Sequence, residues 1–390
     1  MHIGFFTEAY VPQLNGVATS LEVLASEIEK YGHCVNIFAP AMGSYIDLRP
    51  RVYRIPSLLA VKDPPLWMAT PVSTKVLTEI PKLRLDTVHI HTPFMLHFLG
   101  YQVARHERLP LVSTFHTLLS AHVNTVKIFG RYPWPRRLAE VFSMWTCNMC
   151  DHIIAPSQKI RDLLQGYGVY RPITVIHNGI PIERFQGRQR GYLRSRFSLC
   201  ENDKILVGVG RLTQDKNFGF LINVLARLVE KDKSIYLALI GMGHLKDSLK
   251  SEASKLGVLE NVLFCGPIEP QQMPNVYADA DVYVTASLTE VHSVAALEGL
   301  ASGLPMVVAR DKSFESMVLH GQNGFVADLD VEMFATRILD IVEHPEVMRC
   351  MRTHSLGIAR GFSIQTQAEK LLDLYSDLIA QNNSRRRQKR

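Results

Sequence analysis

The chain has 390 residues, of which 47% are hydrophobic and 21% are charged. This length exceeds what one hydrophobic core normally supports, and the composition excludes extensive disorder, so the sequence predicts two folded domains. The formal net charge of +6 is modest, and no nucleic-acid-binding motif accompanies it, so nucleic acid is not an expected partner.

Several features predict a cytoplasmic protein. The start, MHIGFFTEAY, has neither a basic leader nor a small-residue cleavage site, and later apolar stretches are interrupted before they could cross a bilayer. Six thinly scattered cysteines fit the same compartment. Cys147 and Cys150 form one C-x-x-C without a second pair at a zinc-like distance, so we interpret them as two thiols on a partly buried helix.

The first half of the chain alternates short apolar strands with helix-length segments. A helix is predicted at residues 17–32, and strands are predicted at residues 2–6, 34–40, 87–91, 110–116, 152–157 and 174–179. This alternation predicts a parallel sheet with helices on both faces.

The same pattern restarts after an Arg-rich connection. Strands are predicted at 205–212, 235–241, 261–267, 281–287 and 305–310, with helices between them at 217–232, 270–280 and 291–303. We therefore expect an α/β protein with two doubly wound, Rossmann-like domains, 1–182 and 183–362. A last helix at 363–382 is expected to cross back to the first domain, ahead of a basic tail at 383–390.

In open parallel sheets, ligands bind beyond the carboxyl ends of the strands. Arg211 and Lys216 follow the predicted strand at 205–212 and precede a helix, so both cations are expected at that edge. Each would attract a diphosphate by about 4 kcal/mol at an effective dielectric near 20, before desolvation. Together they could take the place of a magnesium ion, while a solvated loop pair is the alternative interpretation.

A second group of candidate residues lies in SLTEVHSVAALEGLASGLP. Glu290 is expected just past a strand, and Glu298 about two turns into the following helix. Backbone N–H groups at Ser293 and Val294 would open that helix and form an anion site. A carboxylate facing the same pocket suits ribose hydroxyls.

In the first half, Gly16 lies on the loop before the first helix, where glycine lets the backbone approach a phosphate. Turn formation alone would also explain the Asn15-Gly16 pair. His116 is expected at a strand end, where a ring nitrogen could bond a sugar or acceptor hydroxyl. His89 is expected to be structural, and no spacing among the histidines favours a metal site.

Two motifs resemble sites of other proteins. The string Asp279-Ala280-Asp281 resembles a metal-binding D-x-D, but it precedes a strand and so lies at the wrong edge of the sheet. The pair Gly241 and Gly243 lacks the third glycine and the acidic partner of a dinucleotide fingerprint. We expect neither a metal nor a dinucleotide cofactor.

One segment mixes cations with aromatic and aliphatic residues, a composition that suits an anionic membrane surface. Its candidate contacts with the membrane or acceptor are Lys127, Arg131, Trp134, Arg136 and Arg137. The basic tail, RRRQKR, is interpreted as solvated.

The assembled motifs resemble the retaining GT-B glycosyltransferases of family 4 over nearly the whole chain. The matching stretches are the P-x-x-N-G loop ending at Gly16, HIHTPF, TFHT, IAPS with VIHNGI, GRLTQDKN, and the E-x7-E block. FFTEAYVPQLNGVATSL, TFHT and CNMCDHIIAPSQKIRDLLQGYGV look most like bacterial diacylglycerol glucosyltransferases. The sequence departs from the family's small-aromatic-Gly run at Val291-His292-Ser293, which leaves the donor sugar open.

This resemblance implies two domains facing a central cleft, an acceptor side in the first and a nucleotide-sugar site in the second. It implies that Arg211 and Lys216 hold the diphosphate, Glu298 the ribose and Glu290 the donor sugar. His116 would contact the transferred sugar, Gly16 would lie near the phosphates, and the segment with Ile268 would contact the base.

The expected reaction is metal-free transfer of a hexose, best matched by glucose from UDP-glucose, to a membrane lipid such as 1,2-diacylglycerol. The enzyme would act peripherally at the inner face of the cell membrane. A soluble or phosphatidylinositol acceptor is the alternative. A sugar-nucleotide epimerase of the same architecture and a donor-binding protein without catalysis also remain open.

Overall fold

The computed structural model describes residues 1–13, 16–43, 45–62, 65–70, 79–119 and 133–388. The chain forms two compact units, one of Met1–Gly179 with Ile364–Arg390 and the other of Ile180–Ser363. It passes to the second unit at Gly179–Ile180 and returns at Ser363–Ile364.

The first unit contains nine strands and four helices among the described residues before the crossing. The strands are β1 (His2–Phe6), β2 (Cys34–Pro40), β3 (Val52–Ile55), β4 (Ser57–Lys62), β5 (Pro65–Ala69), β6 (Thr87–Ile90), β7 (Leu111–Thr114), β8 (His152–Ala155) and β9 (Ile173–Val175). The helices are α1 (Gly16–Lys30), α2 (Met95–His106), α3 (Pro133–Met149) and α4 (Gln158–Gly166). Seven strands pair in parallel in the order β3-β2-β1-β6-β7-β8-β9, and β4 and β5 form a separate antiparallel pair.

Strand β3 and the hairpin β4–β5 were not predicted from the sequence. In β3 the apolar sequence is broken by Arg54, whose guanidinium donates to the Pro40 carbonyl over 2.9 Å and pairs with Asp47 at 2.6 Å. These partners satisfy a cation beside the sheet, so the strand forms without an apolar run.

The second unit contains six strands and seven helices among its residues. The strands are β10 (Lys204–Val209), β11 (Ile235–Ile240), β12 (Val262–Gly266), β13 (Val282–Thr285), β14 (Met306–Ala309) and β15 (Gly324–Ala327). The helices are α5 (Tyr192–Phe197), α6 (Phe218–Lys231), α7 (Lys246–Lys255), α8 (Met273–Asp279), α9 (Val294–Ala301), α10 (Val331–Val342) and α11 (Pro345–Ala359). All neighbouring strands are parallel, in the order β12-β11-β10-β13-β14-β15.

The sheet of the second unit is buried on both faces. Val207 of β10 packs into one apolar cluster with α8 and α9, whereas the adjacent Leu206 packs into another with α6 and α10. Successive residues of a strand point to opposite faces, so β10 reads as a continuous apolar run. The predicted parallel sheet with two covered faces is confirmed here.

The last helix, α12 (Ile364–Gln388), belongs to the first unit, as predicted. Its buried residues recur every three or four positions, and Leu371 and Tyr375 pack in the same apolar cluster as Leu24 of α1. The helix also continues through most of the predicted tail. Arg386 donates to the Glu107 carbonyl at the carboxyl end of α2 over 2.7 Å, where a cation is favourable.

The D-x-D string has a structural role in the second unit. The buried Asp279 carboxylate accepts the N–H groups of Gly191 and Leu193, both at 2.5 Å, where α5 begins. Asp281 accepts the Ile205 N–H at 2.9 Å and pairs with Arg190. Both carboxylates are thus engaged by the chain itself at the amino-terminal side of β13.

Removing the Asp279 carboxylate should destabilise the second unit. We expect Asp279→Ala to lower the free energy of unfolding by about 3 kcal/mol, because buried N–H donors lose a charged acceptor. Asp340→Ala is the control, since its ion pair with Arg337 is 39% and 41% exposed and should matter little. Denaturant unfolding measures both, and equal small losses would contradict the proposed role of Asp279.

Candidate active site

The candidate site of the second unit lies where β10 and β13 end. The chain leaves β10 for β11 on one side, and β13 pairs with the other side of β10, so these neighbours form a topological switch point. The Ser287 hydroxyl, after β13, donates to the Asp215 carbonyl, after β10, over 3.2 Å. The two loops are therefore joined at the edge where ligands bind in such sheets.

The predicted cations and Glu290 lie together at this edge. Lys216 Nζ forms an ion pair with Glu290 Oε1, and only 19% and 12% of these side chains are exposed. Arg211 and Asp215 pair more loosely, with 3.8 Å between Nη2 and Oδ2, and Arg211 is 46% exposed. An ammonium has three N–H donors, so the bond to Glu290 leaves Lys216 two for phosphate oxygens.

Two glycines let neighbouring loops pack closely around the cations. A Cβ on Gly241 would lie 2.0 Å from the Gly210 carbonyl oxygen, and one on Gly243 would lie 2.3 Å from the Leu212 oxygen. The Leu212 N–H in turn donates to the Met242 carbonyl over 2.9 Å. The G-x-G after β11 therefore supports the loop that carries Arg211.

Ser293 and Val294 open α9, which follows β13. Ser293 is the N-cap, and its hydroxyl accepts the Ala296 N–H at 3.3 Å. The first N–H groups of a helix have no acceptor within the helix, so those of the first turn at Val294 and Ala295 can bind an anion. Because α9 begins at Val294, Glu298 lies about one turn into the helix, whereas about two turns were predicted.

Glu298 is held by a tyrosine that the sequence analysis did not identify. The Tyr277 hydroxyl contacts Glu298 Oε2 at 2.9 Å and the Ala295 carbonyl at 3.1 Å. Burial raises the pKa of Glu298 to about 7, against the lowering effects of the Tyr277 hydrogen bond and of Arg184. This carboxyl therefore gains its charge close to neutral pH.

Arg184 is a second contributor that no motif indicated. It lies in the short helical turn Ile182–Phe185 and donates to the Pro270 carbonyl after β12. Ile268, in the same loop, is partly buried against the apolar core. The predicted base-contacting segment thus accepts a hydrogen bond from Arg184, a cation that also lowers the pKa of Glu298.

In the first unit, β1 and β6 form the corresponding switch point. Gly16 is the first residue of α1, and the preceding Leu14 and Asn15 lie outside the described residues. The buried Glu8, after β1, accepts the Leu96 N–H at 2.5 Å, where α2 begins. Burial raises the pKa of Glu8 to about 7.

Histidines surround the ends of β6 and β7. His89 is fully buried, with one ring nitrogen 2.5 Å from the Tyr375 hydroxyl and the other 2.7 Å from the Thr114 hydroxyl, which agrees with its predicted structural role. His116 is half-buried and lies 3.2 Å from His91, from His116 Nε2 to His91 Nδ1. Burial lowers the pKa of His116 to about 4, so its ring is neutral at physiological pH.

The predicted membrane segment is described only in part. Lys127 and Arg131 lie outside the described residues, whereas Trp134, Arg136 and Arg137 lie in the first turns of α3 and are exposed. None of the described helices combines the length and apolarity needed to cross a membrane.

The C-x-x-C pair lies near the carboxyl end of α3. Both thiols are buried, and burial raises the pKa of Cys147 to about 12. The two thiols are therefore unreactive at neutral pH, which is consistent with their interpretation as thiols on a partly buried helix.

The fold and the cation site define the class of protein. Residues 14–184 match Glycosyltransferase Family 4, and residues 193–355 match Glycosyl transferases group 1. The structure resembles that of Anabaena HepE in complex with UDP, with a TM-score of 0.77 at 19% identity, covering 97% of this chain and 100% of that one. The fold is therefore GT-B.

Two curated relatives match almost the full length. The alpha-monoglucosyldiacylglycerol synthase of Streptococcus pneumoniae is 28% identical, covering 98% of this chain and 87% of the relative. The enzyme of the same name from Acholeplasma laidlawii is 27% identical, covering 99% of both chains. The chain belongs to the family 4 glycosyltransferases and is a nucleotide-sugar-dependent enzyme.

Turnover of site variants tests the role of the Lys216–Glu290 ion pair. We expect Lys216→Ala to lower sugar-transfer turnover by roughly a hundredfold or more, because a cation that stabilises the leaving phosphate is lost. Glu290→Gln should also slow transfer, and the double variant should lose less than the two single losses combined, because the side chains act as a unit.

Steady-state kinetics on the two single variants and the double variant measures these effects. Lys233→Ala, which changes an exposed lysine of the same unit, should keep normal turnover. Near-normal turnover in Lys216→Ala, or strictly additive losses, would contradict the role of the pair.

Proposed function

We propose that this enzyme transfers glucose from UDP-glucose to a membrane lipid, 1,2-diacylglycerol, with retention of the anomeric configuration. The observation that carries the proposal is the Lys216–Glu290 ion pair beside Arg211, at the carboxyl edge of β10 and β13. It offers cations for a diphosphate and a carboxylate for sugar hydroxyls at one place. The names of the two curated relatives support glucose and diacylglycerol as the transferred group and the acceptor.

Each site residue has a distinct task in this reaction. Arg211 and Lys216 stabilise the diphosphate as the bond from the anomeric carbon to the phosphate oxygen breaks. The N–H groups of Ser293, the N-cap of α9, and of Val294 and Ala295 in its first turn are donors to the same phosphates. Glu290 binds the sugar while it keeps its ion pair with Lys216.

Residues flanking the reacting group position the rest of the substrate. Glu298 accepts the ribose hydroxyls, Ile268 contacts the base, Gly16 approaches the phosphates, and His116 bonds the transferred sugar. The acceptor oxygen attacks on the face that the phosphate leaves, and its proton passes to the departing phosphate oxygen. Positioning and preorganised charge then supply most of the rate enhancement.

We also propose that the reaction needs no metal ion. The D-x-D carboxylates hold backbone N–H groups and arginines at the other side of the sheet. The two cations and the helix terminus supply the positive charge that magnesium supplies elsewhere.

The lipid acceptor is supported by an exposed apolar face on α3. Its members recur at helical spacing and are 58%, 61%, 46% and 50% exposed: Trp134, Leu138, Val141 and Trp145. A contiguous apolar face of this kind marks an interaction surface in a folded protein. Arg136 and Arg137 are 62% and 82% exposed beside it, so the face suits an anionic membrane surface at the cytoplasmic side.

Product analysis tests the reaction directly. Purified enzyme incubated with UDP-glucose and diacylglycerol in vesicles should form a monoglucosyl lipid with an α linkage, identified by mass and NMR, and EDTA should leave the rate unchanged. Transfer only to small sugars or inositols would favour a soluble acceptor, and conversion of donor without any acceptor would favour an epimerase. A rate lost with EDTA and restored by a divalent ion would contradict the metal-free mechanism.

Vesicle sedimentation tests the membrane surface on α3. At low salt, binding to anionic vesicles should exceed binding to neutral ones, and Leu138→Asp should weaken it by about tenfold, because an apolar contact is replaced by a charge that anionic lipid repels. Leu58→Asp changes another leucine of the same unit, 69% exposed, and should have no effect. Equal binding to both vesicle types, or equal losses in both variants, would count against this surface.

A further inference from the structure

A hydrogen-bonded pair of histidines lies at the carboxyl edge of the first sheet. His91 follows β6 and His116 follows β7, and these strands are neighbours. His91 Nδ1 lies 3.2 Å from His116 Nε2, with the ring centroids 5.4 Å apart. One ring therefore donates to the other.

Both rings are neutral near pH 7. Burial lowers the pKa of His116 to about 4, and burial together with the neighbouring His89 and His116 lowers the pKa of His91 well below its usual value. A neutral imidazole has one N–H donor and one bare nitrogen. Each ring therefore has a single proton to place.

Only two arrangements satisfy this proton count. In the first, His91 Nδ1–H donates, His91 Nε2 is bare, and His116 carries its proton on Nδ1. In the second, His116 Nε2–H donates, His91 carries its proton on Nε2, and His116 Nδ1 is bare. The protonation of His116 Nδ1 is thus coupled to the protonation of His91 Nε2: one of the two nitrogens carries a proton and the other is bare.

The surroundings of His91 favour the first arrangement. His91 is 2% exposed, and its Nε2 is buried without a hydrogen-bond partner among the described residues. A buried N–H donor without an acceptor is a rarer defect in proteins than an unused acceptor, so the proton is better placed on Nδ1, where His116 accepts it.

Packing holds the His91 ring in this orientation. Its centroid lies 3.9 Å from that of His89 and 4.6 Å from that of Phe5. His89 is in turn fixed by Tyr375 of α12 at 2.5 Å and Thr114 of β7 at 2.7 Å. The returning helix therefore contributes to the support behind His91.

We propose that His91 is a positioning residue that holds His116 as its Nδ1–H tautomer, so that His116 presents a hydrogen-bond donor to a substrate hydroxyl oxygen. The substrate part of this inference rests on the proposed function. The tautomer itself is a property of the chain and can be tested without any substrate.

Nitrogen NMR of the full-length chain with 15N-labelled histidine tests the tautomer. Long-range proton–nitrogen correlations of His116, assigned by their loss in His116→Gln, should show a protonated Nδ1 and a bare Nε2. In His91→Leu, the hydrogen-bonded donor is gone and the His116 proton should redistribute toward Nε2. A protonated Nε2 in the unmodified chain, or the same pattern in His91→Leu, would overturn the proposal.

Kinetics of two nearly isosteric variants test the consequence for transfer. His91→Leu should lower turnover by about tenfold, whereas His91→Asn should stay within about threefold, because its amide N–H can replace Nδ1–H. Equal thermal melting of the two would confirm comparable folding. Equal losses, or no loss in either, would overturn the proposal, whereas an unmodified chain without transferase activity would instead contradict the proposed function.

Discussion

The second unit's site depends on one ion pair between two post-strand loops. Lys216 and Glu290 are 74 residues apart in sequence, and they meet because β10 and β13 are neighbours in the sheet. With little of either side chain exposed, each charge needs the other. The pair therefore places a largely buried ammonium group at the edge where a diphosphate would bind.

The surrounding structure supports this pair in several ways. Gly241 and Gly243 allow the loop after β11 to lie against the cation loop, and the Ser287 hydroxyl ties the loop after β13 to it. Tyr277 and Arg184 act on Glu298 from other elements of the unit. The site is thus built at the carboxyl ends of four neighbouring strands, β10, β11, β12 and β13. Its charges are in place before substrate binds.

The first unit repeats the topology with a different electrostatic character. The loops after β6 and β7 carry His91 and His116, which burial keeps neutral, and the loop after β1 carries Glu8, whose pKa is raised to about 7. Neutral imidazoles bind hydroxyl groups without attracting the diphosphate. This difference agrees with the proposal that the two cations that bind the diphosphate lie in the second unit and that His116 of the first unit bonds the transferred sugar.

The sequence by itself determined the α/β class, most strands and helices, the return of the last helix, and the candidates Arg211, Lys216, Glu290 and Glu298. These follow from local periodicity and from the rule that ligands collect after strands, both of which are written in short stretches of chain. Only the tertiary structure decided which residues the exposed apolar face of α3 contains. It also decided three sets of contacts: those of Tyr277 and Arg184 with Glu298, those of Asp279 with backbone N–H groups, and that of His91 with His116. These contacts join residues that are distant in sequence or depend on burial, and neither spacing nor composition encodes which side chains share a desolvated environment.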